Sequence, residues 1–280
     1  MRCSGLPAGS RPNPVIGYYK GPATGRAIRV SPVKNQLFPA LGSNPRAAFR
    51  LFCFPHSGGG AAAFVRWQRR LPAGVELVSA HLPGREERYN EPALRRLDPL
   101  LDALVAGSTP GLDLPFAFFG QSLGAWIAFY LTRRLRREGL RQPAHLFVAS
   151  CRAPQLASRF PPLSGLQGDA FLRLVQQRYC TLPRQILQDP EMLRLVLLAL
   201  HADISLFETI QYTPEAPLSC GISAYGGERD TAVSETEIRA WCEQTTSHFT
   251  SQMFLADHLI TQSTETALLD RISCEFAPYF

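Results

Sequence analysis

The pentapeptide Gly120-Gln121-Ser122-Leu123-Gly124 follows an apolar run at residues 115–119 and opens a long helical stretch at residues 123–138. That order constrains the fold more than any other feature of the chain. Glycines on either side of the serine let a strand and a helix turn back on each other within a few residues, because neither position carries a Cβ. Such a turn strains Ser122 and leaves its hydroxyl exposed above the strand. The Leu123 amide, at the helix N-terminus, then faces any negative charge that develops at the serine. A Gly-Ser turn of purely structural character is the alternative, but the strand before and the helix after favour a nucleophile.

The remaining pattern agrees with this reading. Short apolar runs at 49–54, 75–80, 115–119 and 145–150 alternate with helical stretches at 61–71, 94–105 and 123–138. Strand-like segments resume at 219–225 and 249–255, with a helix near 235–245 between them and a closing helix after Ser263. Alternation of this kind predicts an α/β fold with a mostly parallel central sheet flanked by helices. Between about residues 160 and 212 the alternation stops, and Pro161, Pro162, Pro183 and Pro190 mark the ends of three or four helices. An all-helical insertion there reads as a lid. Residues 1–48 are rich in Pro, Gly and Arg and lack periodicity, so they read as a disordered basic extension ahead of one domain over 49–280.

The formal net charge of +6 belongs to that extension. Residues 1–50 hold eight of the 29 basic groups and none of the 23 acidic ones, which leaves 21 against 23 in the body. A near-neutral body has no electrostatic footprint for nucleic acid. No apolar run approaches the length needed to span a bilayer. The extension also fits a transit peptide or an upstream start codon. Seven cysteines are scattered, with no C-x-x-C pair and no short Cys/His cluster. They read as free thiols in a reducing cytoplasm, with neither a disulfide scaffold nor a metal site.

A serine hydroxyl is a weak nucleophile and needs a histidine base oriented by a carboxylate, expected in the chain order Ser, Asp, His. Of six histidines, His56 and His81 precede the serine, His145 opens a strand, His201 lies in the lid and His248 begins the last strand. His258 follows that strand on a loop at the carboxyl edge of the sheet, and is the expected base. Asp230 ends a loop directly after a strand and is the expected acid. Glu228 is a substitute, Asp257 is disfavoured by its adjacency to His258, and Asp203 reads as a lid or substrate-side group. The glycine-rich loop Phe54-Pro55-His56-Ser57-Gly58-Gly59-Gly60 is suited to supply a second oxyanion donor, the amide of Ser57, beside that of Leu123. His56 would brace the loop. Arg133, Arg134, Arg136 and Arg137 end the helix after the serine, where cations suit its dipole. They read as a solvated helix end, or as a dock for an acidic partner.

Together these motifs resemble the type II (external) thioesterases of non-ribosomal peptide and polyketide synthesis, within the α/β-hydrolase fold. The oxyanion loop at 54–59, Leu82-Pro83-Gly84-Arg85-Glu86-Glu87-Arg88, the elbow at 120–124, His201-Ala202-Asp203, the acid loop at 226–230 and Asp257-His258 all resemble family segments. The elbow departs in having Gln121 where histidine is usual and Leu123 where methionine is usual. The resemblance implies a cytoplasmic, monomeric enzyme that hydrolyses acyl or aminoacyl thioesters from the phosphopantetheine arm of a carrier protein, with no metal or bound cofactor. An esterase or lipase acting on small oxygen esters, and a non-catalytic carrier-binding protein, are the competing readings.

Overall fold

Strands that are covered by helices on both faces need apolar side chains at nearly every position, and this is how the chain builds its sheet. In β1 (Phe49–Phe54) all six residues are buried, and β2 (Val75–Ser79), β3 (Phe116–Gln121), β4 (His145–Ala149) and β5 (Gly221–Gly227) are nearly as apolar or as buried. Only β6 (Phe249–Phe254), at one edge, exposes polar side chains along its length. The computed structural model describes residues 35–179, 182–259 and 262–277, with no side-chain description for residues 262 and 263. All six strands run parallel in the order β2-β1-β3-β4-β5-β6.

Alternate residues of each strand point to opposite faces. Phe52, Phe54, Phe116 and Phe118 meet edge to face or tilted on one side, under α1 (Leu97–Ser108) and α2 (Leu123–Arg137). Phe49, Leu51, Phe119 and Phe147 occupy the other side, where α7 (Gln262–Phe276) contributes Leu268, Leu269, Ile272 and Phe276. Three helices, α3 (Gly168–Arg178), α4 (Arg184–Gln188) and α5 (Pro190–Thr209), lie between β4 and β5 in the chain, where the lid is expected. Asp189 caps α5 by accepting the amides of Glu191 and Met192, and Pro190 fills the first helical position, which has no amide partner to lose. The short helix α6 (Glu235–Arg239) carries a full capping box between Ser234 and Glu237.

Two expectations need correction. The stretch at 61–71 is not one α-helix but two 3₁₀ turns, Ala61–Phe64 and Trp67–Arg69. Phe64 and Trp67 are three residues apart, a spacing that 3₁₀ geometry stacks on one face, and both rings pack on Phe119. The ordered domain also begins before residue 49. Phe38 is 1% exposed and meets the rings of Phe52 and Phe54 edge on. The Asn44 amide and the Ser43 hydroxyl donate to Glu76, a carboxylate buried beside Arg50 on the neighbouring strand. Residues 35–48 thus complete the solvation of a buried ion pair and cover a phenylalanine cluster, while residues 1–34 lie outside the described residues. Among the described residues, Cys53, Cys151, Cys220, Cys242 and Cys274 are free thiols, and no helix is long and apolar enough to cross a membrane.

Candidate active site

Parallel strands deliver the loops that follow them to a single edge of the sheet. From β1 the chain moves outward to β2, whereas β3 returns to the other side of β1, so the loops after β1 and β3 diverge and leave a crevice between them. Residues 55–60 border this crevice on one side and Ser122 on the other.

The elbow is as tight as its sequence suggests. Ser122 has φ 53° and ψ −118°, and its amide donates to Ala149 O at 2.8 Å, which ties the strained residue to the neighbouring strand β4. A Cβ at Gly120 would lie 2.1 Å from Gly124 O, and one at Gly124 would lie 2.1 Å from Phe54 O. Backbone cannot yield that distance, so both positions require glycine. Leu123 is the first residue of α2, where an amide has no acceptor in its own helix.

The structure brings the three expected side chains together. Ser122 Oγ lies 3.1 Å from His258 Nε2, and His258 Nδ1 lies 2.9 Å from Asp230 Oδ2. A carboxylate only accepts, so the imidazole proton sits on Nδ1 and leaves the Nε2 lone pair to the serine hydroxyl. The side chains of His258 and Asp230 are 4% and 0% exposed. Asp230 Oδ1 accepts the amides of Ala232 and Val233 at 2.8 and 3.1 Å, so the carboxylate is held on both oxygens. Glu228 is exposed, and Asp257 pairs with Arg229 at the surface, so neither competes for His258. The ring of Tyr179, at the end of α3, packs 5.1 Å from that of His258. Burial pushes the Tyr179 phenol up, so it meets the imidazole as a neutral ring.

The other histidines lie elsewhere. His145 and His248 sit at the opposite edge of the sheet, His81 pairs with Glu87, and His201 faces Arg95 and Leu166 O from the lid. His56 occupies the loop after β1, where its Nδ1 donates to Ser57 O at 3.0 Å and burial lowers its pKa, so it stays neutral. It braces the loop rather than serving as the base.

That loop is fastened by a set of contacts with no local signal in the sequence. The Gly58 amide donates to Asp203 Oδ2 at 2.8 Å, and the Gly58 φ of +74° turns it that way. Arg85 grips the same carboxylate with two hydrogen bonds, of 2.6 and 2.7 Å, and also donates to Gly59 O at 3.1 Å. The pair is buried, with side chains 6% and 3% exposed. Glu86 accepts the amides of Ala61 and Ala62, both at 2.9 Å, on the far side of the glycines. The segment Pro83–Arg88 is thus a bracket that fixes residues 58–62, and Asp203 closes it from lid helix α5. Among the described residues no acceptor meets the Ser57 amide itself. Phe207, one turn further along α5, stacks on Trp126 of α2 at 4.3 Å. A cavity of about 570 Å³ opens between α3 and α5, lined by Phe171, Leu193, Leu197 and His201 with Arg95 and Arg194 at its polar rim; none of Ser122, Asp230 or His258 lines it.

Residues 49–275 match the family model described as a thioesterase domain. This chain belongs to the thioesterase family. The gramicidin S biosynthesis protein GrsT of Aneurinibacillus migulanus is 35% identical over 236 residues, which cover 84% of this chain and 92% of that protein. RedJ, a thioesterase from the prodiginine biosynthetic pathway in Streptomyces coelicolor, matches the fold with a TM-score of 0.77 at 30% identity, over 82% of this chain and 91% of that one. YbtT, the type II thioesterase from the yersiniabactin NRPS/PKS pathway, matches with a TM-score of 0.71 at 27% identity, over 87% and 98%. The chain is therefore a type II thioesterase with an α/β-hydrolase fold and hydrolyses thioesters, as its motifs implied.

In this thioesterase the arginines that end α2 all pair within the chain but differ in exposure, and Arg137, with a side chain 52% exposed, keeps the solvated character expected of the helix end. Arg133 is 1% exposed, with its guanidinium over Phe129 and Tyr212 and a bond to Thr213 O. Arg134 pairs with Asp102 and Glu138, while Arg136 and Arg137 share Glu215. Arg133, Arg136 and Arg137 bind the chain leaving the lid to the end of α2. Gln121, where histidine is usual in the family, is buried, and its amide nitrogen has no partner among the described residues.

Proposed function

We propose that this thioesterase frees acyl or aminoacyl groups from the phosphopantetheine arm of a carrier protein and so clears a non-ribosomal peptide or polyketide synthase of wrong or stalled units. The observation that carries this reading is the continuous hydrogen-bonded relay from Ser122 through His258 to Asp230 at the mouth of the crevice. The pathways named for its relatives support the synthase setting, and they do not favour a small-ester hydrolase or a non-catalytic binder. We read the enzyme as a cytoplasmic monomer that meets its carrier protein as a separate chain.

In this mechanism His258 Nε2 takes the Ser122 proton as Oγ attacks the thioester carbonyl carbon. The new Oγ–C bond places negative charge on the carbonyl oxygen, which the amides of Ser57 and Leu123 receive. Asp230 stabilises the imidazolium and keeps its ring in register. Collapse of the tetrahedral intermediate breaks the C–S bond, and His258 returns the proton to the departing sulfur, leaving an acyl-serine. A water molecule then gives its proton to His258 and attacks the same carbon, and Ser122 leaves with that proton as the carboxylic acid departs.

The test is release of radiolabelled acetyl or aminoacyl groups from a loaded carrier protein, compared with hydrolysis of p-nitrophenyl esters. Faster turnover of the carrier thioester supports the reading. A carrier-independent preference for oxygen esters would replace it with an esterase.

A further inference from the structure

We infer that His145, His248 and Glu275 form a binding site for a divalent transition-metal cation of the zinc class, at the edge of the sheet opposite the catalytic relay. The site arises from strand register. In the parallel pairing of β4 with β5, His145 stands opposite Gly221. One residue before the Ile222–Phe249 pair, Gly221 stands opposite His248, and Ile222 N donates to His248 O at 3.1 Å. The row across three strands is thus His-Gly-His, with its side chains on the face that α7 covers.

The glycine makes the site. Two side chains separated by a whole strand would ordinarily be kept apart by the residue between them. Here a Cβ on Gly221 would lie 2.3 Å from His248 Cε1, so the imidazole occupies the space that any side chain would fill. The two rings consequently approach to 5.1 Å between centroids. The last turn of α7 brings Glu275 over them, anchored by its neighbour Phe276, which packs on Phe49 and Phe147. Glu275 Oε2 lies 3.4 Å from His248 Nε2 and 3.8 Å from His145 Nδ1, and the three donor atoms all lie within 4.8 Å of one another.

Two of these separations approach the edge of a tetrahedral site. Bonds of about 2.0–2.2 Å to nitrogen and oxygen place ligands roughly 3.4 Å apart, so the Glu275–His248 edge already has that length and the Glu275–His145 edge needs to close by about 0.4 Å. His145 also has the outer support that metal-bound histidines use. Its Nε2 lies within hydrogen-bond distance of Ser223 Oγ, at 2.9 Å, and Ser223 in turn meets Thr250 Oγ1 at 2.8 Å. With an ion on Nδ1, Nε2 would carry the proton and donate it to the Ser223 hydroxyl, the outer hydrogen bond that orients a ligating imidazole. Two imidazoles and one carboxylate are a ligand set for zinc, with a fourth position left for water because the His248 side chain is 55% exposed. An ion there would tie β4, β6 and the C-terminal helix together without touching the reacting groups.

Isothermal titration of the full chain with ZnCl2, after treatment with chelator, tests this. One ion should bind per chain and raise Tm, and Co2+ in its place should give the visible absorption of a tetrahedral centre. His248→Ala and Glu275→Gln should weaken binding at least tenfold and abolish the Tm rise while leaving thioester hydrolysis at the wild-type rate. Gly221→Ala is the decisive variant, because it keeps all three ligands and displaces the His248 ring; it too should lose the ion. Wild-type protein that binds no stoichiometric zinc would overturn the inference. So would zinc binding that is unchanged in both His248→Ala and Glu275→Gln.

Discussion

Asp203 offers the sharpest perturbation of the oxyanion side, because one carboxylate there holds both a loop amide and a buried arginine. Asp203→Ala removes the acceptor of Gly58 and strands Arg85, whose side chain is 6% exposed. Breaking a buried pair by removing one partner costs about 3–5 kcal/mol, so the single variant should lose much stability along with activity. The double variant Arg85→Met/Asp203→Leu separates the two effects. Exchanging a buried pair for apolar groups is close to neutral in many proteins, so its stability loss should be smaller, roughly the 1–3 kcal/mol of the unpaired Gly58 amide. The loop nevertheless loses the anchors at Gly58 and Gly59, and Ser57 lies directly before them. If its amide leaves the oxyanion, kcat should fall about 10²–10³-fold, the usual loss for one such donor. KM should move by less than about threefold, since the amide acts on charge that exists only in the transition state. The assay is steady-state acyl release at a temperature where circular dichroism shows both proteins folded. A folded double variant with wild-type kcat would refute the coupling of lid helix to oxyanion loop.

Other expectations follow from the same geometry. Asp230→Asn should keep the fold but lower kcat by about 10⁴, because the amide favours the wrong imidazole tautomer; a loss under tenfold in single-turnover kinetics would remove Asp230 from the relay. Gly124→Ala should yield misfolded or inactive protein, since its Cβ would lie 2.1 Å from Phe54 O; soluble, active protein would contradict the close packing of the elbow. Burial lowers the pKa of His56. Above about pH 6.5 both folded and unfolded chains hold it neutral, but below that the unfolded chain takes up a proton that the folded chain refuses. Its contribution therefore lowers stability as the pH falls from about 6.5 toward its depressed folded value. Urea titrations at pH 7.5 and 5.5 should show a smaller drop for His56→Asn than for the wild type, and equal drops would contradict the assignment.

The parallel sheet was readable because strands buried on both faces are continuous apolar runs, and the run at 49–54 coincides with β1. The elbow was readable because steric demand writes glycine at two fixed positions. His258 and Asp230 could be chosen from their place after strands, since parallel strands bring those loops to one edge. Asp203 could not be given its role in this way. Its partners Arg85 and Gly58 are 118 and 145 residues away, and no local period links them. Likewise Phe38 is the lone aromatic between residues 35 and 48, and only the ring cluster it meets reveals that the domain starts before residue 49. The turns at 61–71 have helical spacing in sequence, whereas their partners in the fold, the Glu86 carboxylate on the Ala61 and Ala62 amides and the Phe119 ring under Phe64 and Trp67, are distant along the chain.

The central claim is that Ser122 carries the acyl group between a carrier-bound thioester and water. Mass spectrometry of the enzyme quenched during turnover of an acetyl-loaded carrier protein measures this directly. The account predicts an acetyl adduct on the peptide containing Ser122, with release of free acetate, and loss of both in Ser122→Ala. Acetate release that persists in Ser122→Ala, or turnover with the adduct on another residue, would contradict it.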